Sequence, residues 1–300
     1  MLTSLRTHPL EAEAEAGTEA HFVGADVGGT KVRTLVTDDN GTVVQSSTEP
    51  TEHDVVGQLT RQIRALGAGR VRAVGVGVPG VVAPDTGVIS RAPNVPGLDG
   101  LPLADELAAV LGLPVTVEND IVAAALAEQR LGGHAGETLA VIAAGTGIGL
   151  GIVHDGDVIR GDTGAAGEIA DLPIGRSRVL EDTVSITGLL RSYRSLGGDK
   201  SCSARDVLNA AEAGERRAEQ AVAEYASYLA LGIRMVAAVL DPARTVLTGG
   251  IGSRPEVLAA VRGHLAPPLS ERVVPSALGP DSPAHGAVVL ALRAAGASAL

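Results

Sequence analysis

Residues 21–37 read HFVGADVGGTKVRTLVT. The first six, His21–Asp26, are an apolar run bounded by Gly28-Gly29, the pattern of a buried strand ending in a tight turn. Val32–Thr37 then alternates, Asp39-Asn40-Gly41 supplies a turn, and Thr42–Gln45 resumes, which predicts a β-hairpin. The same unit returns later. Leu139–Ala143 makes a strand that runs into Gly145-Thr146-Gly147-Ile148-Gly149, and Leu150–Val153 with Asp157–Ile159 forms a hairpin over His154-Asp155-Gly156. A strand, a Gly-rich turn and a hairpin occurring twice predict two lobes facing each other across a nucleotide cleft.

The elements around these units alternate between the two periods. A polar helical stretch, Val55 to Leu66, leads into a second buried strand, Val71–Val78, closed by Pro79-Gly80, and Asp85-Thr86-Gly87 marks a turn. Pro102–Leu111 has helical spacing, with proline near its start and Gly112 past its end, where each is favoured. Val115–Glu118 reads as a short strand and Ile121–Gln129 as an alanine-rich helix. The pattern is helical from Ala204 to Leu240 with a break at Gly214. Thr245–Leu247 is then a strand, Pro255–Leu265 a helix, and Ala284–Ala295 a final apolar helix. Alternating strands and helices predict the α/β class.

Composition narrows the function. With 300 residues and 45% hydrophobic content the chain can bury two medium cores, at roughly 100–200 residues per domain. A net charge of −11 lacks the basic stripe that nucleic-acid backbones require, so no nucleic-acid partner is expected. Cys202 is the only cysteine, which allows neither an internal disulfide nor a multi-cysteine zinc site and points to a reducing compartment. Met1 to Ala20 is an acidic extension without the apolar core of a signal peptide, and no stretch approaches a membrane span. A soluble cytoplasmic protein with no membrane partner is the expectation.

Four groups of residues carry chemistry. In Asp26-Val27-Gly28-Gly29-Thr30-Lys31 the glycines let backbone N–H groups approach phosphate oxygens, Thr30 adds a hydroxyl and Lys31 a charge. Asp26, at the strand end, suits Mg²⁺ held through water; an ordinary hairpin turn also fits these residues. Gly145-Thr146-Gly147 resembles a dinucleotide turn, but a strand rather than a helix follows, so a clamp on the β- and γ-phosphates fits better. Glu118-Asn119-Asp120 lies between a strand and a helix. Asp120 can take a proton from an attacking hydroxyl and Asn119 can orient the substrate, or either can simply cap the helix. Asn94, Glu168, Asp171 and Glu181 are the polar types that recognise sugar hydroxyls, though each could equally be surface. Beyond these, Thr248-Gly249-Gly250-Ile251-Gly252 is either a seat for the adenine-ribose or a plain β–α connection.

In order and spacing, the chain resembles the ROK family (repressors, open reading frames, kinases). The matching stretches are ADVGGTK at 25–31, GVGVPG at 75–80, APNVPGLDGLPLADEL at 92–107, GLPVTVEND at 112–120, AAGTGIGLGIVHDGDVIRGDTGAAGEI at 143–169, VLTGGIG at 246–252 and LGPDSPAHGAVVLAL at 278–292. The resemblance implies a two-lobed, ribonuclease-H-like (actin-like) ATPase fold with an interlobe nucleotide and sugar cleft. The lobes would be residues 21–120 with a helix at 285–300 returning to them, and residues 121–284, preceded by a disordered extension at 1–20. It implies an ATP- and Mg²⁺-dependent kinase, a homodimer, that phosphorylates the 6-hydroxyl of a glucose-like hexose. By the same resemblance Asp120 is the general base, and Asn94, Asn119, Glu168 and Glu181 contact the sugar. Gly28–Thr30 and Gly145–Gly147 are the phosphate loops, with Lys31 beside the first, and Gly249 and Gly250 face the nucleotide.

Two departures bear on function. Typical members read Gly-Glu-Ile-Gly-His followed by a cysteine-rich zinc knuckle, whereas this chain reads Gly167-Glu168-Ile169-Ala170-Asp171 and then Leu172–Val179 without a cysteine. No structural zinc is therefore expected, and Asp171 stands where a histidine reaches the sugar. Three carboxylates, Glu168, Asp171 and Glu181, converging on one sugar would favour an ammonium group on the substrate, with kanosamine (3-amino-3-deoxyglucose) as the single best candidate, unless Asp171 binds a plain glucose hydroxyl or points to solvent. Family repressors also carry a winged helix-turn-helix before the first phosphate loop, where this chain has only about 25 residues, acidic in balance, before Asp26. A kinase is thus favoured over a sugar-responsive regulator without kinase activity. A kinase of another sugar-like substrate such as a C7-cyclitol, and polyphosphate in place of ATP, stay open.

Overall fold

A computed structural model describes residues 21–66 and 71–296. The extension expected at 1–20, and the last four residues of the expected returning helix, lie outside the described residues. The chain divides into two units: the first holds residues up to Ala127, Gly161–Ala165 and Asp281 onward, and the second holds Glu128–Arg160 and Ala166–Pro280.

The first unit contains β1 (His21–Val27), β2 (Lys31–Thr37), β3 (Val43–Pro50), α1 (Val55–Ala65), β4 (Val71–Val78), the two-residue pair β5 (Val81–Val82) and β6 (Ile89–Ser90), α2 (Leu103–Leu111), β7 (Val115–Asn119) and the start of α3 (Asp120–Leu131). The second contains β8 (Leu139–Ala144), β9 (Ile148–His154), β10 (Asp157–Val158), α4 (Ile186–Ser195), α5 (Ala204–Glu212), α6 (Arg216–Leu240), β11 (Arg244–Thr248), α7 (Pro255–Gly263), α8 (Leu269–Arg272) and β12 (Val273–Pro275). The last helix, α9 (Ser282–Ala294), belongs to the first unit.

Each unit is built on one five-stranded sheet, and the two sheets have one plan. Their orders are β3-β2-β1-β4-β7 and β10-β9-β8-β11-β12. In each, the first strand pairs antiparallel with the second and parallel with the fourth, and the fourth is parallel to the fifth. The duplicated order is the ribonuclease-H-like, actin-like α/β arrangement.

Period-two alternation explains how β1 is buried on both faces. Val23, Ala25 and Val27 enter the core shared with Leu59 and Ile63 of α1 and Leu107 of α2. Phe22, on the opposite face, packs with Ala284, Val288 and Ala291 of α9. The backbone of α9 rests directly on the sheet, because a Cβ on Gly75 would stand 1.9 Å from the Ala287 carbonyl oxygen and one on Gly24 would stand 2.5 Å from Val288 N. Only glycine allows that approach.

In the second unit α6 is the central helix. The expectation that no stretch approaches a membrane span is corrected here, since α6 is long and apolar enough to cross one by length and composition. Its apolar face is part of the second core: Ala218, Val222, Tyr225, Leu229 and Ile233 are all buried. The sequence break at Gly214 is real, and Glu215 caps the new helix by accepting the Ala218 N–H at 2.7 Å.

Candidate functional site

In open α/β sheets the carboxyl ends of parallel strands gather the functional loops. In the first unit the parallel strands are β1, β4 and β7, and Asp26, Gly77 and Glu118 share one rung across them. Asp26 comes just before the first glycine turn. Gly28 N–H donates to the Lys31 carbonyl at 2.9 Å, and Thr51 ties the turn down through its hydroxyl to the Gly28 carbonyl at 2.6 Å and its N–H to the Thr30 carbonyl at 3.2 Å. Thr30 and Lys31 remain exposed at the tip. The carboxyl of Asp26 is raised to about 6, first by desolvation at the strand end; Lys31 pulls it down and Asp281 pushes it up. Asp281 is itself paired with Arg33 at 3.1 Å.

Asn94 lies beside this turn. Buried Ala92, Val95 and Leu98 anchor its loop, and the Ala92 N–H donates to Asp99 Oδ1 at 3.0 Å. A Cβ on Gly29 would stand 2.8 Å from the Asn94 carbonyl oxygen, so the two loops are in backbone contact.

At the end of β7 the side chains divide their tasks. Asn119 Oδ1 accepts the N–H groups of Ile121 at 2.9 Å and Val122 at 3.1 Å, while its Nδ2 donates to the Gly80 carbonyl at 2.8 Å. It is the cap of α3, the plainer of its two readings, and it ties the strand end to the Pro79-Gly80 turn. Asp120 opens the helix, where the macrodipole favours its negative charge. Its Oδ1 accepts the Ile121 N–H at 2.8 Å. It packs against Gly77, where a Cβ would meet its Cα at 3.5 Å. Buried Glu118 accepts the Asn119 N–H at 3.0 Å and stiffens the same corner.

In the second unit the parallel strands β8 and β11 end at Gly145-Thr146-Gly147 and Gly249-Gly250. Gly145 N–H donates to the Gly147 carbonyl at 2.9 Å, and the Gly145 carbonyl accepts the Ile186 N–H at 2.8 Å, from the first residue of α4. Thr146 is exposed. The second loop folds over the end of β8, with the N–H groups of Ile251 and Gly252 converging on the Ala144 carbonyl at 3.0 and 2.9 Å. Arg254 then fixes the loop to α5 through Asn209 and Glu212, both at 3.2 Å.

Glu181 sits on the first of these turns. Its Oε2 accepts the Ile148 N–H at 3.1 Å, and a Cβ on Gly147 would collide with that oxygen at 2.3 Å. Glu168 precedes a 3-10 turn over Ile169–Asp171, and the Asp171 N–H donates back to the Glu168 carbonyl at 3.3 Å. Among the described residues no three His, Cys, Asp or Glu side chains come close enough to hold one metal ion. Glu181 is turned to the Gly147–Ile148 turn.

The stretch from Ala170 to Val179, where the resemblance implies a zinc knuckle, has here one carboxylate, Asp171, and neither thiol nor imidazole. That donor set does not fit a structural zinc. The segment instead closes as a hairpin, with Leu180 N–H on the Leu172 carbonyl at 2.8 Å, Ile174 N–H on the Arg178 carbonyl at 2.9 Å, and Pro173 bridged to Val179. Mg²⁺ does fit the first unit. Asp26 is a desolvated carboxylate at a strand end beside a turn held tight by Thr51, the kind of group whose charge a hydrated divalent ion stabilises.

Sequence reasoning missed Thr51, Arg178 and Arg254. All three act on residues far along the chain, and nothing in their local spacing marks them.

Comparison with known proteins gives one consistent result. The model of the ROK family matches residues 22–294. A glucokinase of Halalkalibacterium halodurans is 33% identical, over 79% of this chain and 82% of that one. A beta-glucoside kinase of Listeria monocytogenes is 28% identical, over 80% of this chain and 86% of that one. The crystal structure of a ROK family glucokinase from Streptomyces griseus, in complex with glucose and AMPPNP, matches with a TM-score of 0.78 at 26% identity, covering 91% of this chain and all of that one.

Proposed function

The chain belongs to the ROK family, and we propose that it is an ATP-dependent sugar kinase acting on the 6-hydroxyl of a glucose-like hexose, with Asp120 as general base. The observation that carries this reading is the grouping of Asp26, Asp120 and the Gly28–Thr30 turn at the carboxyl ends of parallel strands in one sheet. The glucokinase and beta-glucoside kinase relatives support the reaction class.

Asp120 takes the proton as the sugar oxygen attacks the γ-phosphorus; the new O–P bond forms as the bond to the β-phosphate oxygen breaks, and ADP leaves. Asn119 holds Asp120 at the strand–helix corner, and its second amide hydrogen can meet a sugar hydroxyl. Asn94, packed on the first turn, is the other sugar contact of the first unit. In the second unit Glu168 and Glu181 are the sugar contacts, and the N–H groups of Gly145–Gly147 with the Thr146 hydroxyl cradle phosphate oxygens. Gly249 and Gly250 face the nucleoside. Asp26 would hold Mg²⁺ through water, which would supply neutralisation of the phosphate charge, and Lys31 adds a positive charge beside the same turn.

A second reading names an amino sugar such as kanosamine as substrate. It is favoured by Asp171, an exposed carboxylate in the turn that follows Glu168, because an ammonium group would make a charge-assisted hydrogen bond to it. The experiment for the activity itself is a coupled ADP-release assay across a panel of sugars, with polyphosphate as an alternative donor scored by sugar-phosphate formation. Turnover of a hexose supports the kinase; sugar binding without turnover on either donor would replace it with a sugar-responsive sensor.

A further inference from the structure

We propose that Arg178 is a positioning residue: it locks the hairpin at 172–180, without a metal, so that Glu181 is held on the Gly147–Ile148 turn. The proposal rests on the reading of that turn as a phosphate loop and deepens it.

A two-stranded hairpin with a water-exposed tip is marginal by itself. The tip here, Gly175-Arg176-Ser177, is exposed, and the segment carries no donor set for a metal. Its order has to come from side chains that reach outside it. The Arg178 guanidinium lies over the Tyr228 ring of α6, 5.4 Å from the centroid, and donates to the Thr183 hydroxyl. A cation over an aromatic face together with a hydrogen bond fixes the planar guanidinium in orientation as well as position. One helical turn beyond Tyr228, Gly232 receives Leu180: a Cβ there would stand 2.8 Å from Leu180 Cδ2, and Leu180 is fully buried. Asp182 Oδ2 closes the base by accepting the Val179 N–H at 2.9 Å.

Glu181 is thus bracketed. The residue before it is buried on α6, and two residues after it Thr183 is held by Arg178. Between these anchors its carboxylate accepts the Ile148 N–H at 3.1 Å. Removing Arg178 takes away the partner of the Thr183 hydroxyl and the tie of the hairpin edge to Tyr228 together. Glu181 then loses its fixed aim, and the loss falls on ligand binding more than on the chemical step.

The test is hydrogen exchange over residues 172–183 together with steady-state kinetics, on the full chain and its Arg178→Ala and Arg178→Lys variants. Arg178→Ala is expected to speed exchange at 172–183, but not in β1, and to raise the KM for sugar or ATP about tenfold while kcat stays within about threefold. Arg178→Lys, which keeps a cation over Tyr228, recovers part of both effects. Chelator leaves wild-type exchange unchanged. If Arg178→Ala does not fold, Tyr228→Leu removes the ring but keeps apolar volume, and the same two readouts apply. Exchange and KM both within twofold of wild type would overturn the proposal, as would faster wild-type exchange at 172–183 on chelation. A wild type inactive on every sugar counts against the kinase reading alone, since exchange at 172–183 still decides the role of Arg178.

Discussion

Gly29 and Asn94 touch through their backbones: the space a Cβ on Gly29 would need lies 2.8 Å from the Asn94 carbonyl oxygen and 3.2 Å from its Cβ. The first glycine turn and the candidate sugar contact are therefore packed as one piece, and neither can shift without the other. Phosphoryl transfer depends on such alignment, because it is catalysed mainly by positioning and charge.

Gly29→Ala is expected to raise the KM for both ATP and sugar, each by about tenfold. Its thermal midpoint should also fall, because the new Cβ would stand 2.8 Å from the Asn94 backbone carbonyl oxygen and one of the two loops must give way. A change confined to the ATP KM would show that the contact does not couple the two ligands.

Asp26 connects stability with function. Its carboxyl is raised to about 6 chiefly by desolvation, so the fold favours its protonated form. The stabilising contribution is complete below the unfolded value and is lost as pH rises through about 6. Asp26→Asn should therefore stabilise the apo-protein at pH 7.5 by ~1–3 kcal/mol, with no gain below about pH 4, while activity falls sharply. Urea denaturation at the two pH values measures this. An equal gain at both would mean that the carboxyl charge is not the cause.

Asp171 is the residue on which the proposed preference for an amino sugar rests. If the substrate carries an ammonium group, wild type prefers kanosamine or glucosamine to glucose in kcat/KM, and Asp171→Asn cuts that preference by about tenfold, the worth of one charge-assisted hydrogen bond. A wild-type preference for glucose, or an amino-sugar preference unmoved by the substitution, rules out charge pairing at this residue.

Much of this architecture was legible because it is local. The apolar runs of β1 and β4, the glycine turns after β1 and β8, and the helix break at Gly214 all follow from nearest-neighbour pattern, and the twofold unit read around Asp26 and Ala143 became two sheets of the same order. What escaped depends on contacts distant in sequence. Arg178 acquires its role only when Tyr228, fifty residues on, is folded beneath it, and Thr51 only when β3 brings it back to Gly28. Glu181 could be singled out in the sequence, but its attachment to Ile148 N–H could not. Asn119 was balanced between ligand and cap, and the helix N–H groups of Ile121 and Val122 take its carbonyl oxygen.

Asp120 is proposed to remove the proton from the sugar hydroxyl, and kcat together with sugar affinity for Asp120→Asn tests that role. The amide keeps the volume packed on Gly77 and can still accept the Ile121 N–H, so the corner is preserved and only the basicity is lost. Asp120→Asn is expected to lower kcat by about 10²–10⁴, the usual worth of a positioned general base, with sugar binding by calorimetry close to wild type. A kcat within a few-fold of wild type would contradict it.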